Sequence, residues 1–408
     1  MSTLRTVSYI LLSTALAAPV FAQSKGVTSF SPKTNLTNGD KVDFKNAKPM
    51  PMPSLPGTPE ELTTEKYNSG SNNPSNHKTL TPGLSPGNPG SGKKTPEILV
   101  APEDIKQSDV SDDSLLFENQ RNDSSNDNIV SQEFGTSGLP FTTSRVDMYG
   151  KNFTDKYPYR ASGKIFFNIG SDTFVCSGSL IKPGIVVTAA HCVAKYGERI
   201  FYNNWKYIPA YNKGRAPFKK WTVNYVAILT SYFDGSETCL SGVVCPNDVA
   251  LLSIRSKSNS HGIFFAGHRT GWLGYSWNGY GFTSGNQAQI TQLGYPVSHD
   301  NGQKMQRTDS SGFLDDIDSS GVLNNLIGSR QTGGSSGGPW IVNFGRQAKL
   351  SGVLLGSDAA SNVVVGVTSW GFNDGGVILA QGASRFTSSN IVTLVNGICA
   401  KRPKQCKI

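Results

Sequence analysis

Long apolar runs are nearly missing from this chain of 408 residues. The one near the start, Tyr9-Ile10-Leu11-Leu12 through Ala15-Leu16-Ala17-Ala18, follows Arg5 and leads to Val20-Phe21-Ala22, with small residues where a signal peptidase cuts. It is too short to span a bilayer comfortably, and no later stretch approaches a membrane span. Residues 1–22 are therefore expected to be an export signal that leaves a soluble, secreted or periplasmic protein. Zinc-type spacings are also missing: there is no CxxC and no suitable Cys/His pattern, so no metal and no other cofactor is expected. The formal charge is +9, but the basic residues are scattered, without a basic helix or an aromatic-basic motif, which argues against nucleic acid as a partner. No internal repeat is evident.

Charge is split along the chain. Residues 141–408 carry 26 Lys and Arg against 14 Asp and Glu, a net +12, whereas residues 1–140 carry 12 against 15, a net −3. Ten of those acids fall between Glu97 and Glu133, beside only Lys106 and Arg121. Residues 23–140 read as a low-complexity linker or prosegment. Backbone breakers fill Lys48-Pro49-Met50-Pro51-Met52-Pro53 and Pro82-Gly83-Leu84-Ser85-Pro86, and apolar residues are too sparse to offset ordering entropy. The acidic stretch reads first as a solvated linker; its alternative, suggested by the opposite charges, is an intramolecular acidic prosegment lying on the basic domain as a partner.

Helical periodicity is scarce after residue 141. Short β-type runs take its place, among them Lys164-Ile165-Phe166-Phe167-Asn168-Ile169, Gly184-Ile185-Val186-Val187-Thr188 and Asn362-Val363-Val364-Val365-Gly366-Val367, separated by turn residues. This texture predicts an all-β fold over residues 141–400. One helix is predicted at its end, where Ile391, Leu394, Val395 and Ile398 recur at helical spacing behind a cap at Ser388 or Ser389. Residues 401–408 form a basic tail. Six cysteines fit an oxidising compartment. They allow 15 full pairings, and proximity along the chain favours Cys176–Cys192, Cys239–Cys245 and Cys399–Cys406.

Three local patterns carry chemistry. In Val186-Val187-Thr188-Ala189-Ala190-His191-Cys192, a β-branched run delivers a histidine at a strand end, suited to moving a proton between a hydroxyl and a leaving amine. In Asn247-Asp248-Val249-Ala250-Leu251-Leu252, a carboxylate immediately precedes an apolar strand, suited to fixing an imidazole tautomer. In Gly333-Gly334-Ser335-Ser336-Gly337-Gly338-Pro339-Trp340, glycines around a serine expose a hydroxyl and converge amide N–H groups on one point, as an acyl-transfer oxyanion requires.

Together these segments resemble the trypsin/chymotrypsin-like serine proteases. TAAHC stands at Thr188 to Cys192, D-[IV]-A-L-L at Asp248 to Leu252, and the nucleophile motif at Gly334 to Pro339. Ser369-Trp370-Gly371 resembles the family's substrate-pairing strand. The resemblance covers about residues 157–400. It implies two packed six-stranded antiparallel β-barrels with a C-terminal helix, preceded by a disordered N-terminal region. It also implies a serine endopeptidase acting on protein or peptide substrates, with His191 as base then acid, Asp248 as its orienter and Ser336 as nucleophile. The N–H groups of Gly334 and Ser336 would form the oxyanion hole. The family's bridge beside the histidine supports Cys176–Cys192.

Two departures stand out. Ser335 replaces the aspartate that receives a new N-terminal amine in cleavage-activated members, and Tyr157-Pro158-Tyr159-Arg160-Ala161-Ser162-Gly163-Lys164 is nearer the bacterial glutamyl-endopeptidase (V8-like) branch. Arg330 stands at the position that the resemblance places at the base of the primary pocket, either to attract an acidic side chain or to be paired elsewhere, while Thr368 replaces that branch's histidine, so substrate preference stays open. The alternative is a catalytically silent relative used for binding or adhesion; such relatives usually lose a triad residue, and none is lost here. The order His, Asp, Ser argues against an esterase on the α/β-hydrolase fold, which needs its nucleophile before the acid and histidine.

Overall fold

Short runs of β-branched and aromatic residues, punctuated by Gly, Asn and Pro, fold into two closed six-stranded antiparallel barrels in a computed structural model of the chain. The structure describes residues 26–32, 42–56, 81–95, 139–147, 152–260, 262–283, 285–316, 322–345, 358–374 and 376–407. The predicted export signal and the acidic stretch from Glu97 to Glu133 lie outside the described residues.

The first barrel comprises β1 (Ser162–Ile169), β2 (Asp172–Lys182), β3 (Ile185–Thr188), β4 (Asn203–Pro209), β5 (Trp221–Leu229) and β6 (Ala250–Ile254). It closes where β5 pairs with β6. The second comprises β7 (Gln287–Gly294), β8 (Gln306–Asp316), β9 (Leu323–Gly328), β10 (Pro339–Val342), β11 (Val363–Asp374) and β12 (Val377–Ser384). It closes where β10 pairs with β11. Closure removes the unpaired edges that an open sheet would present. Val186, Val187, Leu251 and Leu252 are fully buried in the first barrel's core, as are Trp340 and Trp370 in the second barrel.

The predicted terminal helix is present as α1 (Thr393–Lys401), entered through a turn over Ser388–Val392. Ile391, Leu394, Val395 and Ile398 are buried, and α1 packs on β5 and β6. The cap is Thr387, not Ser388 or Ser389. Thr387 Oγ1 accepts the Asn390 N–H at 3.1 Å, and Asn390 Oδ1 accepts the Thr387 N–H at 2.7 Å. A reciprocal pair satisfies two otherwise orphaned donors, which a lone serine does not.

The described parts of residues 23–140 lie against the barrels. Val27–Phe30 pairs with β5, Lys48–Pro49 with β2, Ser54–Pro56 with β11, and Gly83–Ser85 with Gly274–Trp277. Phe141–Arg145 adds a further edge strand beside β8.

Disulfides join Cys176 to Cys192, Cys239 to Cys245, and Cys399 to Cys406. The first ties β2 to the turn after β3, closing a loop with a sequence separation of 16. Replacing Cys176 and Cys192 together by alanine is expected to cost about 3 kcal/mol of unfolding free energy, read as a lower denaturant midpoint. A midpoint unchanged from that of the parent protein would show that the bridge does not constrain the unfolded chain.

Candidate active site

The antiparallel pairing of β3 with β6 sets the first half of the site. Thr188 lies opposite Ala250, so the residues just after β3 and just before β6 emerge at the same end of the barrel. His191 therefore meets Asp248. The Asp248 Oδ1 atom accepts the His191 backbone N–H at 2.8 Å, and Oδ2 lies 2.7 Å from His191 Nδ1. Ser369 Oγ donates to the same carboxylate, and the Asp248 N–H donates to Ser384 Oγ at 2.9 Å. Only 2% of Asp248 is exposed. Burial pushes its carboxyl upward, but the facing His191 and the hydrogen bonds from His191 and Ser369 outweigh that cost and hold its pKa below the usual carboxylate value.

Ser336 sits on the loop between β9 and β10, wedged between the barrels. The Ser177 N–H from β2 donates to Ser336 O at 2.8 Å, and the Gly337 N–H donates to Thr368 O on β11 at 2.7 Å. Ser336 O also lies 3.8 Å from Cys192 Sγ, next to His191 in the chain. Gly337 has φ +78°, and a Cβ there would fall 2.5 Å from Ser177 O and also strike Thr188 Oγ1. Gly334 has φ +95°, and its Cβ would fall 2.6 Å from Tyr295 O. Glycine is required at both positions, by conformation and by space.

Ser336 is fully buried, whereas the sequence led to an exposed hydroxyl. Its Oγ and His191 Nε2 are both buried without a hydrogen-bond partner among the described residues. Among those residues, the Gly334 and Ser336 N–H groups also donate to nothing.

The predicted substrate residues divide. Ser369 and Trp370 turn inward: Ser369 to Asp248, and the fully buried Trp370 through Nε1 to Asn324 Oδ1 at 3.1 Å. The Gly371 N–H donates to Pro53 O at 2.9 Å. Arg330 is half-buried, its carbonyl accepts from Ser298 Oγ at 3.2 Å, and its guanidinium is in no ion pair among the described residues. Thr368 is buried, and its Oγ1 accepts from Gln292 Nε2 at 2.7 Å and Trp340 Nε1 at 3.0 Å.

Sequence reasoning missed Ser384, which anchors the Asp248 backbone, and Gln381. Gln381 Nε2 donates to Gln331 O at 2.6 Å. Neither stands in a recognisable motif; both are placed by the β9–β12 register, and Gln381 also by the β11–β12 register. Cys176, His191 and Cys192 bring ligand-type atoms within 4.8 Å of one another. Both sulfurs are committed to one disulfide, so the group lacks thiolates for a metal.

Beside the site, buried Glu237 accepts from Ser231 Oγ at 2.7 Å and Asn247 Nδ2 at 2.6 Å. Burial dominates and raises its pKa above the usual value, with Asp248 adding repulsion. A raised folded pKa means that the native state holds its proton longer, so stability falls as pH rises from the unfolded to the folded value. Glu237→Gln removes this loss. Its stability advantage over the parent is expected to grow as pH rises from 4 toward neutrality. Urea midpoints across that range test this; a constant difference would contradict the sign.

A paired histidine and buried aspartate, facing a serine loop across the seam of two six-stranded barrels, define a class of serine hydrolase. The family described as Trypsin matches residues 151–387, and the chain belongs to that family; it is a serine-type endopeptidase. Among solved structures it is similar to the protease Anisep from Arthrobacter nicotinovorans, at 24% identity and a TM-score of 0.45, over 59% of this chain and 96% of that one. It is also similar to the thermostable serine protease AL20 from an extremophilic microorganism, at 20% identity and 0.44, over 58% and 96%. A Glu endopeptidase in complex with MPD is 17% identical, with a TM-score of 0.45, over 63% and 96%. No curated protein matches the chain. Among the described residues, no helix is long and apolar enough to cross a membrane.

Proposed function

We propose that the chain is an exported endopeptidase that cleaves peptide bonds through an acyl-enzyme, with His191, Asp248 and Ser336 as its triad. The observation that carries this reading is the Asp248 carboxylate holding both the ring and the backbone of His191. That grip fixes the proton on Nδ1 and leaves Nε2 as an acceptor. In the first half-reaction Ser336 Oγ bonds to the scissile carbonyl carbon and its proton passes to His191 Nε2. The oxyanion is stabilised by the Gly334 and Ser336 N–H groups. The C–N bond then breaks as His191 returns the proton to the leaving amine. In the second half-reaction water adds to the acyl carbon, gives its proton to His191, and the carboxylic acid leaves as Ser336 recovers its hydrogen. The Gly371 backbone and the Arg330 side chain are the proposed substrate contacts. The disulfides and the predicted leader at residues 1–22 support export to an oxidising compartment.

Labelling with a fluorophosphonate, followed over hours, tests the nucleophile. The label is expected on the peptide that contains Ser336. A folded protein that stays unlabelled would favour a silent binding module.

A further inference from the structure

The proline-alternating segment Pro49-Met50-Pro51-Met52-Pro53 does not end at the surface of the first barrel. Lys48–Pro49 pairs in parallel with Phe174–Val175 of β2, and the Met50 N–H donates to Val175 O at 2.9 Å. The chain then crosses the nucleophile loop. Met50 O lies 2.7 Å from the position of a Cβ on Gly333, and Pro49 Cβ lies 3.8 Å from one on Gly334. Beyond that, Met52 Sδ lies 3.0 Å from Gln381 Nε2 and 3.2 Å from a Gly371 Cβ position. Pro53 O takes the Gly371 N–H, and Ser54–Pro56 continues in parallel beside Gly371–Asn373 of β11. Leu55 anchors the far end in a buried cluster with Trp370 and Leu326.

We propose that residues 47–56 are an autoinhibitory strap, which occupies the substrate cleft in the reverse of the productive direction and seats Met52 in the side-chain pocket beside Gly371 and Gln381. The proposal rests on the reading of Ser336 as nucleophile. Direction follows from the chemistry. A leaving amine must lie near His191, on the first barrel, so the acyl side of a substrate extends along β11 of the second. Thr368, near the start of that stretch, is tied to Gly337 beside the nucleophile, and Gly371–Asn373 lies further out. A substrate's acyl side therefore runs toward Ser336, antiparallel to β11. The strap runs parallel to β11, away from Ser336, so it fills the cleft without offering a correctly oriented peptide bond. The strap's contacts fall on Gly333 and Gly334, in the loop that carries Ser336.

The sequence of the strap suits this role. Proline at 49, 51 and 53 fixes φ and holds the segment extended, so little conformational entropy is lost when it docks. Main-chain pairing to an exposed strand supplies affinity, and one alternate side chain supplies the pocket contact. Tethering in the same chain raises the local concentration of the strap far above that of a free peptide.

The test uses the full chain and two variants outside the catalytic groups. Met52→Gly empties the pocket. Lys48→Glu sets two acids against each other at the exposed Lys48–Asp172 pair, 2.8 Å apart, without touching the core. Hydrolysis of a mixed peptide library and fluorophosphonate labelling are measured together. Met52→Gly is expected to raise both rates at least about tenfold and Lys48→Glu about twofold, the surface pair being the weaker hold. A synthetic peptide of residues 47–56 is expected to inhibit Met52→Gly competitively, raising KM at constant kcat, and to remain uncut by mass spectrometry. Labelling and hydrolysis equal in all three proteins, with no inhibition by the peptide, would overturn the strap and leave the nucleophile intact. Folded proteins that never label, with or without the substitutions, would overturn the nucleophile and the strap together.

Discussion

Ser336→Ala is expected to abolish fluorophosphonate labelling and to lower kcat by about 10⁴–10⁶-fold, because in the proposed mechanism the side chain that forms the covalent intermediate is then gone and its partners have nothing to act on. The same substitution is expected to leave stability unchanged or raise it slightly. Ser336 Oγ is fully buried and has no hydrogen-bond partner among the described residues. A buried, unpaired hydroxyl costs free energy in the folded state, so its removal relieves a penalty of about 1 kcal/mol. The two readouts must be taken together. A loss of activity with a matching fall in the thermal midpoint would indicate a structural serine, whereas loss of activity at equal or higher stability marks a group retained for chemistry. Undiminished hydrolysis by a folded Ser336→Ala protein would rule the assignment out.

Asp248→Asn is the second large expected effect. The carboxylate accepts the ring N–H, the backbone N–H of His191 and the Ser369 hydroxyl. An amide keeps the shape but turns one acceptor into a donor. Facing Nδ1, that donor favours the tautomer with its hydrogen on Nε2, which cannot take the proton from Ser336. A fall in kcat of about 10⁴-fold with KM nearly unchanged is expected. Stability should also lose part of its acid dependence. The Asp248 pKa is lowered in the folded protein, so its contribution is present above the ordinary value of 3.8 and is lost as pH falls below it. The parent is expected to weaken more steeply than the variant in acid. A KM effect without a kcat effect, or identical acid unfolding, would show that Asp248 does not orient the histidine.

Several features of this protein were fixed by residue pattern alone. Val186–Thr188 ahead of His191, and Asp248 ahead of an apolar run, encode strands whose ends meet in the candidate site; the glycines around Ser336 encode a loop with no room for side chains. The near-neighbour cysteines encode their own pairing, since short loops close easily. The terminal helix was legible from Ile391, Leu394, Val395 and Ile398, because burial of one face repeats along the chain. Its cap was not, because Thr387 and Asn390 work only as a reciprocal pair in three dimensions.

What the tertiary structure decided was which distant segments face one another. Ser384 supports Asp248 across 136 residues, and Gln381 reaches Met52 across 329. Contacts of that range follow from barrel closure and register, to which no local periodicity is sensitive. The proline-rich segment near residue 50 shows the limit most clearly. Its composition specifies an extended chain of low intrinsic order, and only the unpaired edges of β2 and β11 determine where that chain lies and in which direction it runs. The proposed nucleophile Ser336 was likewise legible as a motif, but its burial was not, because exposure belongs to the surface that the whole fold presents and not to the residue.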